Sequence, residues 1–316
     1  MFWPSRGLLT SIESEYDKTD RQEVLLSEPR KFRVALVQMR TSRDVKGNID
    51  AAVKLIREAK SRGADYVQTP EQTSLMELDR GSLFAHIVDE ERDPALKAFQ
   101  ELARELGIHL HVGSLAIKVA SDKAANRAFV IDPQGEIIGR YDKIHMFDVN
   151  LENGESYRES NTYRPGDVAV VVPLPFCKIG LSICYDVRFP ALYRALAETG
   201  AEVLTVPAAF TKQTGEAHWH LLLRARAVET GCFVLAAAQG GRHENGRETF
   251  GHSMVIDPWG RIIAEAGIEP GVTVADIDLA LVTEARARVP ALEHGRRFEV
   301  IAPRDGAHLH LVGKAS

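Results

Sequence analysis

Along this chain the spacing of hydrophobic residues switches repeatedly between a repeat of two and a repeat near 3.6, as it does where strands alternate with helices. Residues 32–39 read FRVALVQM, a β-rich run. Residues 47–62 then place Ile49, Ala52, Val53, Ile56 and Ala59 at helical spacing, with Gly63 as the stop. A strand over 65–68 follows. The pattern continues with a helix over 94–106, a strand over 109–117, a hairpin over 127–141, strands over 168–172 and 178–183, and a helix over 190–199. Beyond these it predicts a strand over 202–206, a helix over 216–230, a strand over 232–238, a hairpin over 252–264, a strand over 272–277 and a helix over 279–287. Such an order predicts an α/β fold. No linker interrupts it, so residues 32–305 form one expected domain. Residues 1–31 are polar and weakly periodic, an N-terminal extension that is either a docking arm or a poorly ordered end, and 306–316 form a C-terminal tail.

One stretch is repeated. VIDPQGEIIGR at 130–140 and VIDPWGRIIAE at 255–265 both read as strand, Asp-Pro-x-Gly turn, strand, with Pro and Gly where a type I turn favours them. Two similar halves, each ending in such a hairpin, predict two sheets packed face to face with helices outside, an α-β-β-α sandwich.

At 45% hydrophobic and 26% charged, the 316 residues match a globular chain, which excludes a disordered tail protein, a collagen-like fibre and a disulfide scaffold. A formal net charge of −5 leaves no basic surplus for neutralising phosphates, so no nucleic-acid partner is expected. The first residues lack an apolar core and meet Glu13, Glu15 and Asp17 soon after, so no targeting peptide is expected. The longest apolar stretch, 168–176, contains Pro173 and Pro175 and falls far short of the ~20 residues a membrane helix needs, so no membrane partner is expected either. Three cysteines, Cys177, Cys184 and Cys232, cannot all pair within one chain, which favours a reduced, cytoplasmic setting.

The cysteines differ in setting. Cys232 opens an apolar run and reads as packing, and Cys177 falls in a hairpin turn. They offer no second thiol pair for zinc. Cys184 sits where an alternating strand runs into a helix, a position that exposes a side chain near backbone N–H groups and favours a thiolate. A cysteine nucleophile needs a base and a cation. Glu71, just past the strand at 65–68, and Lys143, just past the hairpin strand, are candidates; each alone also reads as a solvated surface charge. His218 and His220, two apart on a helix, face different ways and make a poor metal pair. His308 and His310 alternate along the tail and could share a strand face.

The segments around these residues resemble the three signature blocks of the nitrilase superfamily of carbon–nitrogen hydrolases. They read Thr69-Pro70-Glu71, Tyr141-Asp142-Lys143-Ile144-His145 and Ile183-Cys184-Tyr185-Asp186-Val187-Arg188-Phe189-Pro190. Residues 154–160, 215–229, 237–243 and 251–260 resemble its Nit branch, and within it are most similar to the deaminated glutathione amidases. The resemblance implies a four-layer α-β-β-α fold and a Glu71–Lys143–Cys184 triad with no metal and no cofactor. Cys184 would attack an amide carbonyl of a small carboxylate-bearing substrate and release ammonia. Glu71 would move protons, and Lys143 with the backbone N–H of Tyr185 would hold the oxyanion. Glu159 matches a second glutamate that positions substrate and Lys143, a role its spacing alone does not suggest.

For Arg188 two readings stand, a contact to the substrate carboxylate and an ion pair with Asp186. Arg242 and His243, in the Gly240-Gly241 loop, could meet a substrate carboxylate or lie on an exposed loop, and Trp219 could line the substrate pocket or simply pack. The resemblance also implies a homodimer or larger homo-oligomer through the helices at 190–199 and 216–230. The alternatives to a deaminated glutathione substrate are 2-oxo acid amides and N-carbamoyl amino acids. A different class of reading is a non-catalytic interaction module on the same fold.

Overall fold

The computed structural model describes residues 30–151 and 154–300. Its first sheet is built from β1 (Lys31–Gln38), β2 (Tyr66–Gln68), β3 (His109–Lys118), β4 (Ala124–Ile131) and β5 (Ile137–Asp142), and ends on a late strand added antiparallel to β1. A short ribbon, β6 (Asp148–Asn150) and β7 (Ser156–Arg158), stands outside it. The second sheet contains β8 (Val171–Pro173), β9 (Lys178–Gly180), β10 (Val203–Thr205) and β11 (Phe233–Ala236). After the ribbon β12 (Gly240–Arg242) and β13 (Glu248–Phe250), it closes with β14 (Met254–Ile256) and β15 (Ile262–Glu265), while β16 (Gly271–Asp278) crosses back to β1.

The two sheets are copies in plan. The order β16-β1-β2-β3-β4-β5 has parallel strands β1 to β3 between antiparallel neighbours, and β8-β9-β10-β11-β14-β15 repeats that arrangement with β9 to β11. The repeated turn closes identically in both. Gly135 N donates to Asp132 O and Gly260 N to Asp257 O, each at 2.9 Å, and each Asp Oδ1 takes two further backbone N–H groups.

Period-two alternation assigns the layers. On β1, Phe32, Val34 and Leu36 join the core shared with the second sheet, whereas Ala35 and Val37 join Ala52 and Ile56 of α1 (Val45–Ser61). After α2 (Arg80–His86), α3 (Pro94–Leu106) covers the same outer face with Phe99 and Leu102. Its start follows from sequence: Asp93 caps Leu96 N at 2.8 Å, Pro94 occupies the first turn, and Gly107 ends it at φ 61°. Helices α4 (Pro190–Glu198) and α5 (Lys212–Thr230) cover the second sheet, with Leu192, Leu196, Trp219 and Leu223 in its core, and α6 (Ala280–Arg288) follows β16.

Several boundaries differ from the sequence pattern. The helix expected from 216 begins at Lys212; Gly215 lies inside its first turn as a close-approach site, where a Cβ would lie 2.3 Å from Phe250, rather than marking a break before the helix. The strand expected over 178–183 ends at Gly180. Past it the chain leaves the ladder, with Leu181 N donating to Val170 O and Ser182 Oγ to Thr205 O. Of the N-terminal extension only Arg30, paired with Glu202, and Lys31, the first residue of β1, are described. The rest, the 306–316 tail and His308 and His310 lie outside the described residues.

Candidate active site

Three strand ends converge. Glu71 follows β2, Lys143 follows β5, and Cys184 follows the second-sheet segment that starts as β9. All three line one cavity of about 210 Å³ together with Glu159, Tyr157, Tyr185 and Arg247. That is at the small end for ligand pockets, so a small molecule fits and a folded segment does not.

The Glu71 loop is stitched to β3 at a bulge. Gly113 N donates to Thr69 Oγ1, Ser114 N to Pro70 O, Thr73 N to Ser114 O and Gln72 N to Ser114 Oγ. Gly113 is obligatory there, because a Cβ would lie 2.0 Å from Thr69 O and 2.5 Å from Pro207 Cβ. Pro207 in turn takes the Cys184 N–H on its carbonyl at 2.9 Å.

Cys184 occupies a sharp elbow. Its φ of 50° is left-handed, a strained value for a side chain with a Cβ, and it opens the single 3-10 turn Cys184–Arg188 ahead of α4. Asp186, fully buried, braces the elbow. Its Oδ2 accepts from Ile183 N at 2.9 Å and Tyr141 OH at 2.7 Å, and its Oδ1 accepts from His145 N at 3.0 Å. Tyr141 and His145 flank Lys143, so one carboxylate ties the Cys184 turn to the segment bearing Lys143. Among the described residues nothing accepts the Tyr185 N–H.

The charges form a buried cluster. Lys143 Nζ lies 2.9 Å from Glu71 Oε1 and 2.9 and 3.0 Å from the two oxygens of Glu159. Asn126 Nδ2 donates to both carboxylates, at 2.9 and 3.1 Å. Ala209 N fixes Glu71 Oε2 at 2.8 Å, and Phe147 N fixes Glu159 Oε2 at 2.7 Å. Burial pushes the Glu71 carboxyl up, but the charge and hydrogen bond of Lys143 outweigh it and hold it below its usual range. Burial opposes the Lys143 ammonium, yet Glu159 and Glu71 keep it charged well above the ordinary lysine value.

The thiol departs from expectation. Burial, then the Glu71 charge, raise Cys184 well above the ordinary cysteine value, with Lys143 pulling the other way. The setting therefore does not supply a resting thiolate. It supplies a protonated thiol beside a carboxylate that remains ionised. Cys177 and Cys232 are also raised by burial, and neither is on the cavity wall.

Four sequence candidates sit elsewhere. Trp219 is fully buried, with Nε1 donating to His252 O at 2.9 Å and its ring against Phe210. His243 is buried between Thr41 O and Thr249 Oγ1, and Arg242 is exposed on β12. Arg188 neither lines the cavity nor pairs with Asp186; its guanidinium lies over the rings of Tyr185 and Phe210 and contacts His218 Nδ1 at 3.3 Å. His220 does face away from His218. It meets Glu265 Oε1 at 2.8 Å, as His252 does, a grouping that could hold a metal ion but lies off the cavity wall.

The residues missed were Asn126, Asp186, the Ala209 N–H and Arg247. Of these only Asp186, inside the Cys184 block, carried a local signal.

The sequence profile of the carbon-nitrogen hydrolase family matches residues 33–287. A protein of Yersinia enterocolitica named deaminated glutathione amidase is 39% identical over 275 residues, which cover 86% of this chain and 95% of that one. The C. elegans NitFhit protein superposes with a TM-score of 0.78 at 36% identity, covering 84% of this chain and 65% of that chain. An amidase from Nesterenkonia superposes at 0.70 with 28% identity, covering 82% of this chain and 95% of that one; in that structure the acetamide moiety of fluoroacetamide is added covalently at the active-site cysteine.

Proposed function

The chain belongs to the carbon-nitrogen hydrolase family, and from that premise we propose that it is a thiol amidase that hydrolyses deaminated glutathione through a thioester on Cys184. The observation that carries the reading is the meeting of Cys184, an ionised Glu71 and a buried Lys143 on one small cavity. The name of the Yersinia relative supports the substrate.

As Cys184 Sγ attacks the amide carbon, its proton passes to Glu71, whose ionised state makes it a ready acceptor. The carbonyl electrons move onto oxygen, where Lys143 and the Tyr185 N–H hold the charge; losing one such donor typically costs about a hundred- to a thousandfold in rate. The intermediate collapses to a thioester as the departing nitrogen takes the proton from Glu71. Water then gives a proton to Glu71 and attacks the thioester, and the cysteine leaves and recovers its proton. Glu159, bonded twice to Lys143, keeps the ammonium in place. No step requires a cofactor or metal.

The leaving group is refined by the substrate. Deaminated glutathione carries a keto group where glutathione has its amino group, so the scissile amide joins a 2-oxo acid chain to the nitrogen of cysteinylglycine. The departing group is then that dipeptide amine, and ammonia is released only from primary amides. The N-carbamoyl alternative stays a second reading, with Arg188 behind the cavity wall, over the rings of Tyr185 and Phe210.

A cytoplasmic setting and a homo-oligomer belong to the same reading. All three cysteines are free, and no helix of the described residues is long and apolar enough to cross a membrane. On α5, Leu221 and Val228 leave an exposed apolar stripe at 67% and 57% exposure, the kind of face a second copy would cover.

The test compares turnover of deaminated glutathione, 2-oxoglutaramate and N-carbamoyl-β-alanine by the acid released. The highest kcat/KM is expected for deaminated glutathione. A preference for the carbamoyl compound, or no turnover of any, would reject the assignment.

A further inference from the structure

We propose that Arg247 is the receptor for the carboxylate of the substrate's 2-oxo acid chain, the contact that restricts this amidase to acidic acyl groups. The inference rests on the amidase reading of the same cavity. Arg247 enters the cavity wall from the turn just before β13, and among the wall's cations it alone has an idle buried donor.

Lys143 is fully engaged by Glu71 and Glu159. Arg80 donates to Asp122 O and lies over Phe84. Arg158 donates to Val149 O, Tyr157 O and Asn150 Oδ1. Arg247 spends one nitrogen, Nη2, on Ala209 O at 2.5 Å, and its guanidinium lies 5.2 Å from the Tyr157 ring centre. Its Nε–H is buried with no acceptor, and among the described residues no carboxylate lies within ion-pair reach of it. An unpaired buried N–H on a charged group is costly unless something else completes it. A carboxylate in the cavity would accept from the guanidinium's Nη hydrogens, Nη1 having no partner among the described residues and Nη2 spending one hydrogen on Ala209 O.

Its anchorage places that receptor beside the chemistry. The same residue, Ala209, accepts from Arg247 through its carbonyl and donates to Glu71 through its N–H. Arg247 and the base are therefore bridged by the backbone of a single residue. A short acyl chain can span from an acid group on Arg247 to a carbonyl carbon at Cys184, and a bound carboxylate also neutralises the guanidinium next to Glu71.

The experiment is kinetic, with a binding arm. Wild type, Arg247→Gln and Arg247→Lys are compared on 2-oxoglutaramate and on butyramide, a neutral amide of similar reach. For Arg247→Gln the preference for the acidic amide over the neutral one should fall at least tenfold, mostly through KM; Arg247→Lys, which keeps the charge and loses the fork, should fall between. An unchanged preference, or equal losses on both amides, would overturn the proposal in favour of a purely structural role. In the binding arm, 2-oxoglutarate is titrated into Cys184→Ala with and without Arg247→Gln. A Kd raised at least tenfold supports the receptor and an unchanged Kd refutes it, whatever the outcome of turnover. A wild type that binds 2-oxoglutarate and hydrolyses neither these amides nor deaminated glutathione would fault the amidase reading alone.

Discussion

At the level of single residues, the cluster around Lys143 decides how a buried cysteine can react. A protonated thiol is a weak nucleophile, and here burial and the Glu71 charge hold it protonated. The proton must therefore leave as the bond forms, and activity must follow the state of Glu71 more than that of Cys184. Because Lys143 depresses the Glu71 carboxyl, it stays ionised below the ordinary glutamate range and takes up a proton only in more acidic solution. The linkage has the same sign for stability: the Glu71–Lys143 contribution is present above the unfolded value near 4.5 and is lost as pH falls through the lower folded one. The kcat/KM profile should thus be flat through neutrality, with its acid limb below pH 4.5 as far as the fold persists. An acid limb at the ordinary cysteine value, near 9, would mean that a free thiolate carries the reaction.

These roles were unevenly legible. Glu71, Lys143 and Cys184 stood out because each follows a strand end, and strand ends in α/β folds collect at functional clefts. Glu159 did not, since its contact with Lys143 depends on how a short loop folds back. Asn126 lies 55 residues from Glu71, and no periodicity reports that pairing. For Trp219 the sequence leaves pocket and packing open, and its position on α5 decides for the core, where His252 O takes its N–H.

Among the elements, the bulge in β3 matters most. It lets Ser114 and Gly113 take four hydrogen bonds from or to the Glu71 loop, while Gly113 presses against Pro207, whose carbonyl holds the Cys184 N–H. A methyl group on Gly113 must displace the backbone of the Glu71 loop, because its contacts at 2.0 and 2.7 Å are the carbonyl oxygens of Thr69 and Pro70, and it must also push on the Pro207 ring at 2.5 Å. Gly113→Ala should lower kcat/KM about a hundredfold, consistent with the sensitivity of catalysis to ångström-scale displacement. It should also destabilise the fold by roughly 1–3 kcal/mol, the usual cost of overpacking. A variant with wild-type turnover and stability would show that the loop is not held by this approach. The sequence pattern gave β3 as one unbroken strand, because a bulge leaves apolar alternation on either side of it nearly intact. The two hairpins were legible for the opposite reason: Asp-Pro-x-Gly fixes its own turn, with the Asp side chain as cap.

At the scale of the whole molecule, the repeated hairpin proved to be one end of a repeated sheet, with parallel cores β1-β2-β3 and β9-β10-β11 in matching positions. The chemistry is not repeated. One half supplies Glu71, Lys143 and Glu159, the other Cys184 and the Ala209 N–H, and the cavity exists only where the sheets meet. Asp186 crosses that junction to Tyr141 and His145, so the two halves are registered by residues close to Cys184 and Lys143. The account stands or falls on Cys184 as the attacking atom. The most direct measurement is amide turnover by Cys184→Ala, taken with its thermal midpoint beside that of the wild type. A folded variant whose turnover drops to the uncatalysed background is the predicted result; a folded variant that hydrolyses deaminated glutathione within tenfold of the wild-type rate would contradict it.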